Sequence, residues 1–205
     1  MFFLFVKKNN LNNDDKEVLS DNSDLSEVEK KIFPVYNENN FYITKEIIEN
    51  ILRSFNINKE ITDLEIWQKA FVHESYCESS DFVKNEKYYG KLEGTAPNDI
   101  MPLQKESSQA LEWLGDGIIQ SVVAIYLFKR FHVQSAQQEG FLTKIRSKLV
   151  KTEALGKLAL GLNFDKYILV SKHIEIVCNG RKNSRMLEDC FEAFIGAMMC
   201  DFGRS

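Results

Sequence analysis

The chain has 205 residues, 44% of them hydrophobic and 12% aromatic, which allows one domain with a packed core and excludes a chain disordered throughout. Its net charge is −4, which argues against tight, autonomous polyanion binding by the whole chain. Residues 1–100 hold 12 basic and 19 acidic side chains and residues 101–205 hold 14 and 11, so any basic surface belongs to the second half.

Residues 1–40 are rich in Asn, Asp, Ser, Lys and Glu without a sustained period, and read as a disordered arm with a short helix near 26–32. The folded part is expected to begin at Phe41 and run to residue 205. Ile47, Ile48, Ile51, Leu52 and Phe55 follow helical spacing behind a Thr44 cap. A second helix is expected over 64–72. Residues 77–106, with Gly90, Gly94, Pro97 and Pro102, read as a long loop. Residues 107–131 are dense enough in apolar side chains to be the central, nearly buried helix. Further helices are expected over 138–150, over 152–160 with Gly161 and Asn163 as stops, and over 184–199. Residues 164–183 read as irregular. No repeat and no alternating strand pattern occurs, so the fold class is all-α.

Four cysteines, Cys77, Cys178, Cys190 and Cys200, form no CxxC pair and no zinc pattern, which points to a reducing, intracellular setting, cytoplasmic or nuclear. No stretch is read as reaching the ~20 apolar residues of a bilayer span, so no membrane partner is expected. The opening apolar run at residues 1–6 is too short for a secretory segment, and its lysines follow it.

Two acidic helix motifs lie about seventy residues apart, Leu111-Glu112-Trp113-Leu114-Gly115-Asp116 and Glu188-Asp189-Cys190-Phe191-Glu192-Ala193. Residues three or four apart share a helix face, so Glu112 projects with Asp116 and Asp189 with Glu192. Each pair sits in an apolar segment, where an unpaired carboxylate is costly. Four carboxylates converging in a helical core are most simply explained by a divalent metal site. Gly115 and Gly117 read as permitting close helix packing beside it. Lys144, Lys148 and Lys151 recur at helical spacing, with Arg146 off the stripe, and Arg181, Lys182 and Arg185 extend the basic surface before the second motif.

In order along residues 41–203, His73-Glu74-Ser75-Tyr76, Leu111 to Asp116, Gln138-Glu139-Gly140 and Leu187 to Ala197 resemble the motifs of ribonuclease III catalytic domains. The resemblance implies a helical endonuclease domain that hydrolyses double-stranded RNA as a homodimer, using Mg²⁺ or Mn²⁺ and leaving 5′-phosphate and 3′-hydroxyl ends. By the same resemblance Glu112, Asp116, Asp189 and Glu192 are the metal carboxylates, and Asp116 and Glu192 the catalytic pair. Glu139 and Gln109 lie at the site edge, and Trp113, where the family usually has Phe, is a dimer contact. The basic residues Lys144, Lys148, Lys151, Arg181 and Lys182 are candidates for phosphate contacts along duplex RNA. Three departures accompany the match. Ser108-Gln109-Ala110 replaces the family's Asn-Glu-Arg, the loop at 77–106 is long, and the sequence stops at Ser205, before the family's last helix. The expectation is then either a minimal or truncated member, or a separate chain that supplies RNA affinity.

The bland readings are an ordering role for His73 through hydrogen bonds, a helix-starting role for Glu139, and a solvated face for the lysine stripe. Asp201-Phe202-Gly203 matches the kinase triplet by chance. The rival function is a ribonuclease III-like scaffold or regulatory dimer partner that does not cut; retention of all four carboxylates favours the enzyme.

Overall fold

Ile48 and Leu52, four residues apart, are the inward positions of the first helix in a computed structural model that describes residues 35–79 and 100–203. This helix, α1 (Lys45–Ser54), starts at Thr44, whose hydroxyl accepts from the Ile47 amide. Asp63 caps α2 (Leu64–Lys69) in the same way. A 3₁₀ turn, Glu74–Tyr76, follows. The long α3 (Gln109–Leu127) continues into a π-helical turn, Phe128–Val133. Then come α4 (Glu139–Leu149), α5 (Thr152–Gly161), α6 (Lys172–Val177) and α7 (Ser184–Phe202). Among the described residues the β-pairing is limited to two isolated parallel bridges, Val72 with Leu169 and Cys77 with Gln104. The fold is all-α, as the periodicity implies.

The core is aromatic. Trp67 and Phe71 are buried against Phe164 and Phe194, with ring centroids 4.9 Å apart for Trp67–Phe194 and 5.1 Å for Phe71–Phe164. The Trp67 indole N–H donates to Asp201 Oδ2 at 2.9 Å. The Thr62 amide and hydroxyl also donate to the Asp201 carboxylate. These donors satisfy a buried acid and hold it below the usual carboxylate range, although burial opposes them.

Four expectations change. First, the folded chain is already in place at Val35: Val35, Asn37 and Asn40 are buried, and both Asn37 and Asn40 donate to the Val170 carbonyl at 3.0 Å. Polar composition concealed this because the anchors are side-chain amides. Second, residues 164–183 contain α6 between two 3₁₀ turns, Phe164–Lys166 and Gly180–Lys182. Asn163 and Asn179 enter those turns at φ of 59° and 48°, a conformation asparagine tolerates. Third, α3 and its π-helical continuation are not nearly buried, since Val122, Ile125, Tyr126 and Phe128 are each at least half exposed. Fourth, Gln109–Val133 is long and apolar enough by length and composition to cross a membrane, although it carries Glu112 and Asp116 and packs along α7. The short helix expected at 26–32 and most of the loop at 77–106 lie outside the described residues.

Candidate metal centre

Two glycines bring α3 and α7 into backbone contact. A Cβ on Gly115 would stand 1.8 Å from the Glu192 carbonyl oxygen, and one on Gly196 would stand 2.2 Å from that of Leu111. Only glycine permits so close an approach. Gly117 has open space around it and no part in the crossing. Because Gly115 meets Glu192 while Gly196 meets Leu111, the helices run antiparallel. Across this crossing the Glu112 carboxylate approaches those of Asp189 and Glu192.

Carboxylate oxygens of Glu112, Asp189 and Glu192 lie within 4.8 Å of one another. Glu192 is buried and the other two are partly buried. Burial, then the neighbouring Glu112, pushes Asp189 up to about 7; burial, then Asp116, pushes Glu192 up to about 8. Glu112 is raised as well, chiefly by burial, with Arg185 opposing. Like charges at this spacing hold protons at neutral pH unless a cation replaces them. The donors are all carboxylate oxygens, the hard set that Mg²⁺ or Mn²⁺ accepts. The residues present fit such an ion.

Asp116 reaches the group from the rim. It is exposed, accepts from Gln120 Nε2 at 3.2 Å, and acts on Glu192 through its charge. Glu74 and Glu188 were not singled out in the sequence, yet the charges of both raise Glu112 and Asp189. For Glu188 the available signal was its position beside Asp189. For Glu74 it was a place inside the His73 motif. Gln109 Nε2 donates to Glu74 Oε2 at 2.7 Å, which ties the 3₁₀ turn to the start of α3.

The remaining candidates divide. Glu139 stands outside the carboxylate group. It is exposed in the first turn of α4, accepts from Thr143 Oγ1 at 2.9 Å, and lines a cavity of about 450 Å³ with His132 and Arg146. Lys144, Lys148, Lys151 and Lys182 are exposed, with Lys151 paired to Glu153 at 3.2 Å. Arg181 is engaged in the fold. Its guanidinium donates to Glu175 Oε1 at 2.9 Å, the Ile168 carbonyl at 2.6 Å and Asn40 Oδ1 at 2.7 Å, which corrects the expectation that it is free for RNA. His73 caps the turn before Tyr76, its Nδ1 accepting from the Ser75 amide at 3.1 Å. Burial holds it below the usual histidine range. Trp113 is 80% exposed.

The raised acids give the metal-free protein a defined pH response. The folded state binds more protons than the unfolded state between the ordinary carboxylate range and about 7 to 8, so stability falls as pH rises through that window. The thermal midpoint in chelator should therefore drop from about pH 7 to about pH 8, above the range in which the depressed His73 and His173 add stability with rising pH. Excess Mg²⁺ should restore it more strongly at the upper end, because the ion displaces protons. Differential scanning calorimetry with EDTA or Mg²⁺ checks this. A Mg²⁺ effect that does not grow with pH would count against a carboxylate site.

Comparison with known proteins follows the same geometry. The family model for the ribonuclease III domain matches residues 109–203, which include both acidic helices. "Probable ribonuclease 3" of Acanthamoeba polyphaga mimivirus is 32% identical over 177 residues, spanning 85% of this chain and 31% of that protein. "Ribonuclease 3" of Streptococcus pyogenes serotype M5 is 31% identical over 159 residues, spanning 78% of this chain and 58% of that protein. The chain thus spans from about a third to somewhat over half the length of these curated relatives. A solved nuclease domain of ribonuclease III from Campylobacter jejuni, described for flexibility in its region involved in dimer formation, superposes with a TM-score of 0.57 at 28% identity. That superposition covers 78% of this chain and 87% of the other. Matched in order, in fold and across both acidic helices, the chain belongs to the ribonuclease III family.

Proposed function

We propose that this chain is a Mg²⁺- or Mn²⁺-dependent endoribonuclease that cuts double-stranded RNA as a homodimer, leaving 5′-phosphate and 3′-hydroxyl ends. The observation that carries the reading is the trio Glu112, Asp189 and Glu192, delivered by two helices in backbone contact, with oxygens within 4.8 Å. The chemistry such a cation supplies when bound is activation of water and neutralisation of phosphate charge. The chain's own part is to hold three oxygens in place on rigid helices and to release their protons when the ion enters. Asp116 adds negative charge from the exposed edge. Lys144, Lys148, Lys151 and Lys182 offer solvent-facing cations to the duplex phosphates, the feature through which RNA duplexes are mainly bound.

The dimer is supported by apolar surface left uncovered. Ser184, the first residue of α7, lies eight positions before Glu192, so α7 begins alongside about residue 123 of the antiparallel α3. Beyond that point α3 and the π-helical turn overhang, exposing Ile125, Tyr126 and Phe128 in addition to Trp113 elsewhere on the helix. Apolar surface of this kind marks an interaction face. Ile125→Asp should shift the sedimentation coefficient from dimer to monomer, and a wild type that sediments as a monomer would remove the homodimer from the proposal.

Incubation with a long RNA duplex and Mg²⁺ or Mn²⁺ should yield short fragments bearing 5′-phosphates. Single-stranded RNA of the same sequence should survive. A folded, dimeric wild type that binds the duplex and leaves it intact with either ion would replace the nuclease by the non-cutting scaffold.

A further inference from the structure

Glu74 lies outside both acidic helices, on a turn held beside the start of α3. Its turn is fixed on two sides by backbone hydrogen bonds: Ser108 N–H, at the start of α3, donates to the Val72 carbonyl at 2.8 Å, and His73 N–H donates to that of Leu169, ahead of α6, at 3.0 Å. Within α3, Gln109 lies three residues before Glu112 and so shares its face. The Gln109 amide then grips Glu74 Oε2 at 2.7 Å. Among the described residues, the other Glu74 oxygen accepts nothing, and the residue is exposed. A neutral amide on the Glu112 face thus holds a full negative charge beside the site, with lone pairs to spare.

We propose that Glu74, oriented by Gln109, is a positioning residue of the cation site, one that tightens divalent-ion binding as an outer hydrogen-bond acceptor and negative charge without ligating the ion. The inference rests on the metal-centre reading above. The electrostatic effect of Glu74 on Glu112 and Asp189 agrees with its placement. Outer partners of metal ligands typically change affinity by ~10- to 100-fold, and an exposed one belongs at the lower end. The competing role is a staple: Glu74 and Gln109 would merely join the turn to the helix.

The two roles separate in one substitution series, read as Mn²⁺ affinity of the full chain by electron paramagnetic resonance. Glu74→Gln keeps an oxygen acceptor for Gln109 and removes only the charge. It should weaken Mn²⁺ binding about tenfold without lowering the metal-free thermal midpoint. Adding Gln109→Glu to Glu74→Gln reverses the pair, returns the charge to the site edge, and should bring Mn²⁺ affinity back to within about twofold of wild type. Wild-type affinity in Glu74→Gln, or a double variant as weak as the single one, overturns the proposal. Glu192→Gln serves as the control. If wild type and that control bind Mn²⁺ equally poorly, the metal centre itself falls, and this inference with it. If the expected pattern appears but duplex RNA stays intact, only the nuclease reading fails.

Discussion

Glu192→Gln should abolish duplex cleavage, lowering the rate by on the order of 10³-fold or more, while raising the thermal midpoint of the metal-free protein at pH 8. The loss follows from removing one of three oxygens that share the proposed cation; a neutral amide binds a hard ion far less well than a carboxylate. The gain follows from the same burial. Glu192 sits between α3 and α7 with its ionisation pushed up to about 8, so folding traps a group that would be charged in the unfolded chain. Glutamine has nearly the same shape and no charge to suppress. The midpoint difference should therefore vanish near pH 4, where both states are protonated, and widen toward pH 8. Loss of activity together with a pH-dependent gain in stability cannot arise from misfolding, which lowers both. Cleavage assays and calorimetry on one preparation suffice, and a variant that still cuts would remove Glu192 from the site.

The second large effect concerns a residue without a side chain. Gly115→Ala places a methyl 1.8 Å from the Glu192 carbonyl oxygen and 2.5 Å from its carbon. Both atoms are backbone in mid-helix and cannot swing aside, so the helices must separate. Overpacking of this kind costs about 3 kcal/mol or more, a fall in thermal midpoint of roughly 6–12 °C for a chain of this size. Metal binding should weaken as well, since the displaced peptide carries Glu192. Gly117→Ala is the internal control. Nothing lies within 4 Å of a Cβ there, and alanine favours the helix by up to about 1 kcal/mol. Two alanines two residues apart should thus move stability in opposite directions. A Gly115→Ala protein with wild-type stability would mean that the helices do not cross at that point.

The helices, and the grouping of three of the four acids, are legible because both depend on local periodicity. Three- or four-residue spacing within each motif fixes the face, and the apolar neighbours turn Glu112, Asp189 and Glu192 inward while Asp116 stays exposed. Other features depend on partners far away in sequence. The amides of Asn37 and Asn40 read as disorder until Val170 supplies their acceptor. Arg181 reads as a free cation until Glu175, Ile168 and Asn40 surround it. The exposure of α3 was misjudged for another reason. An apolar helix of a single chain looks buried whether the covering surface is its own or a second copy's. Gly115 and Gly117 look alike in sequence, and only the helix crossing tells them apart.

Asp201 lies nine residues after Glu192 on α7, about 13–14 Å along the axis. Its three hydrogen bonds to Thr62 and Trp67 pin the far end of that helix to the α1–α2 side of the molecule. The helix is therefore a rod clamped at one end and working at the other. A slip at the clamp becomes an equal displacement of Asp189 and Glu192, so the alignment of the carboxylate group is set in part by an indole that never approaches it.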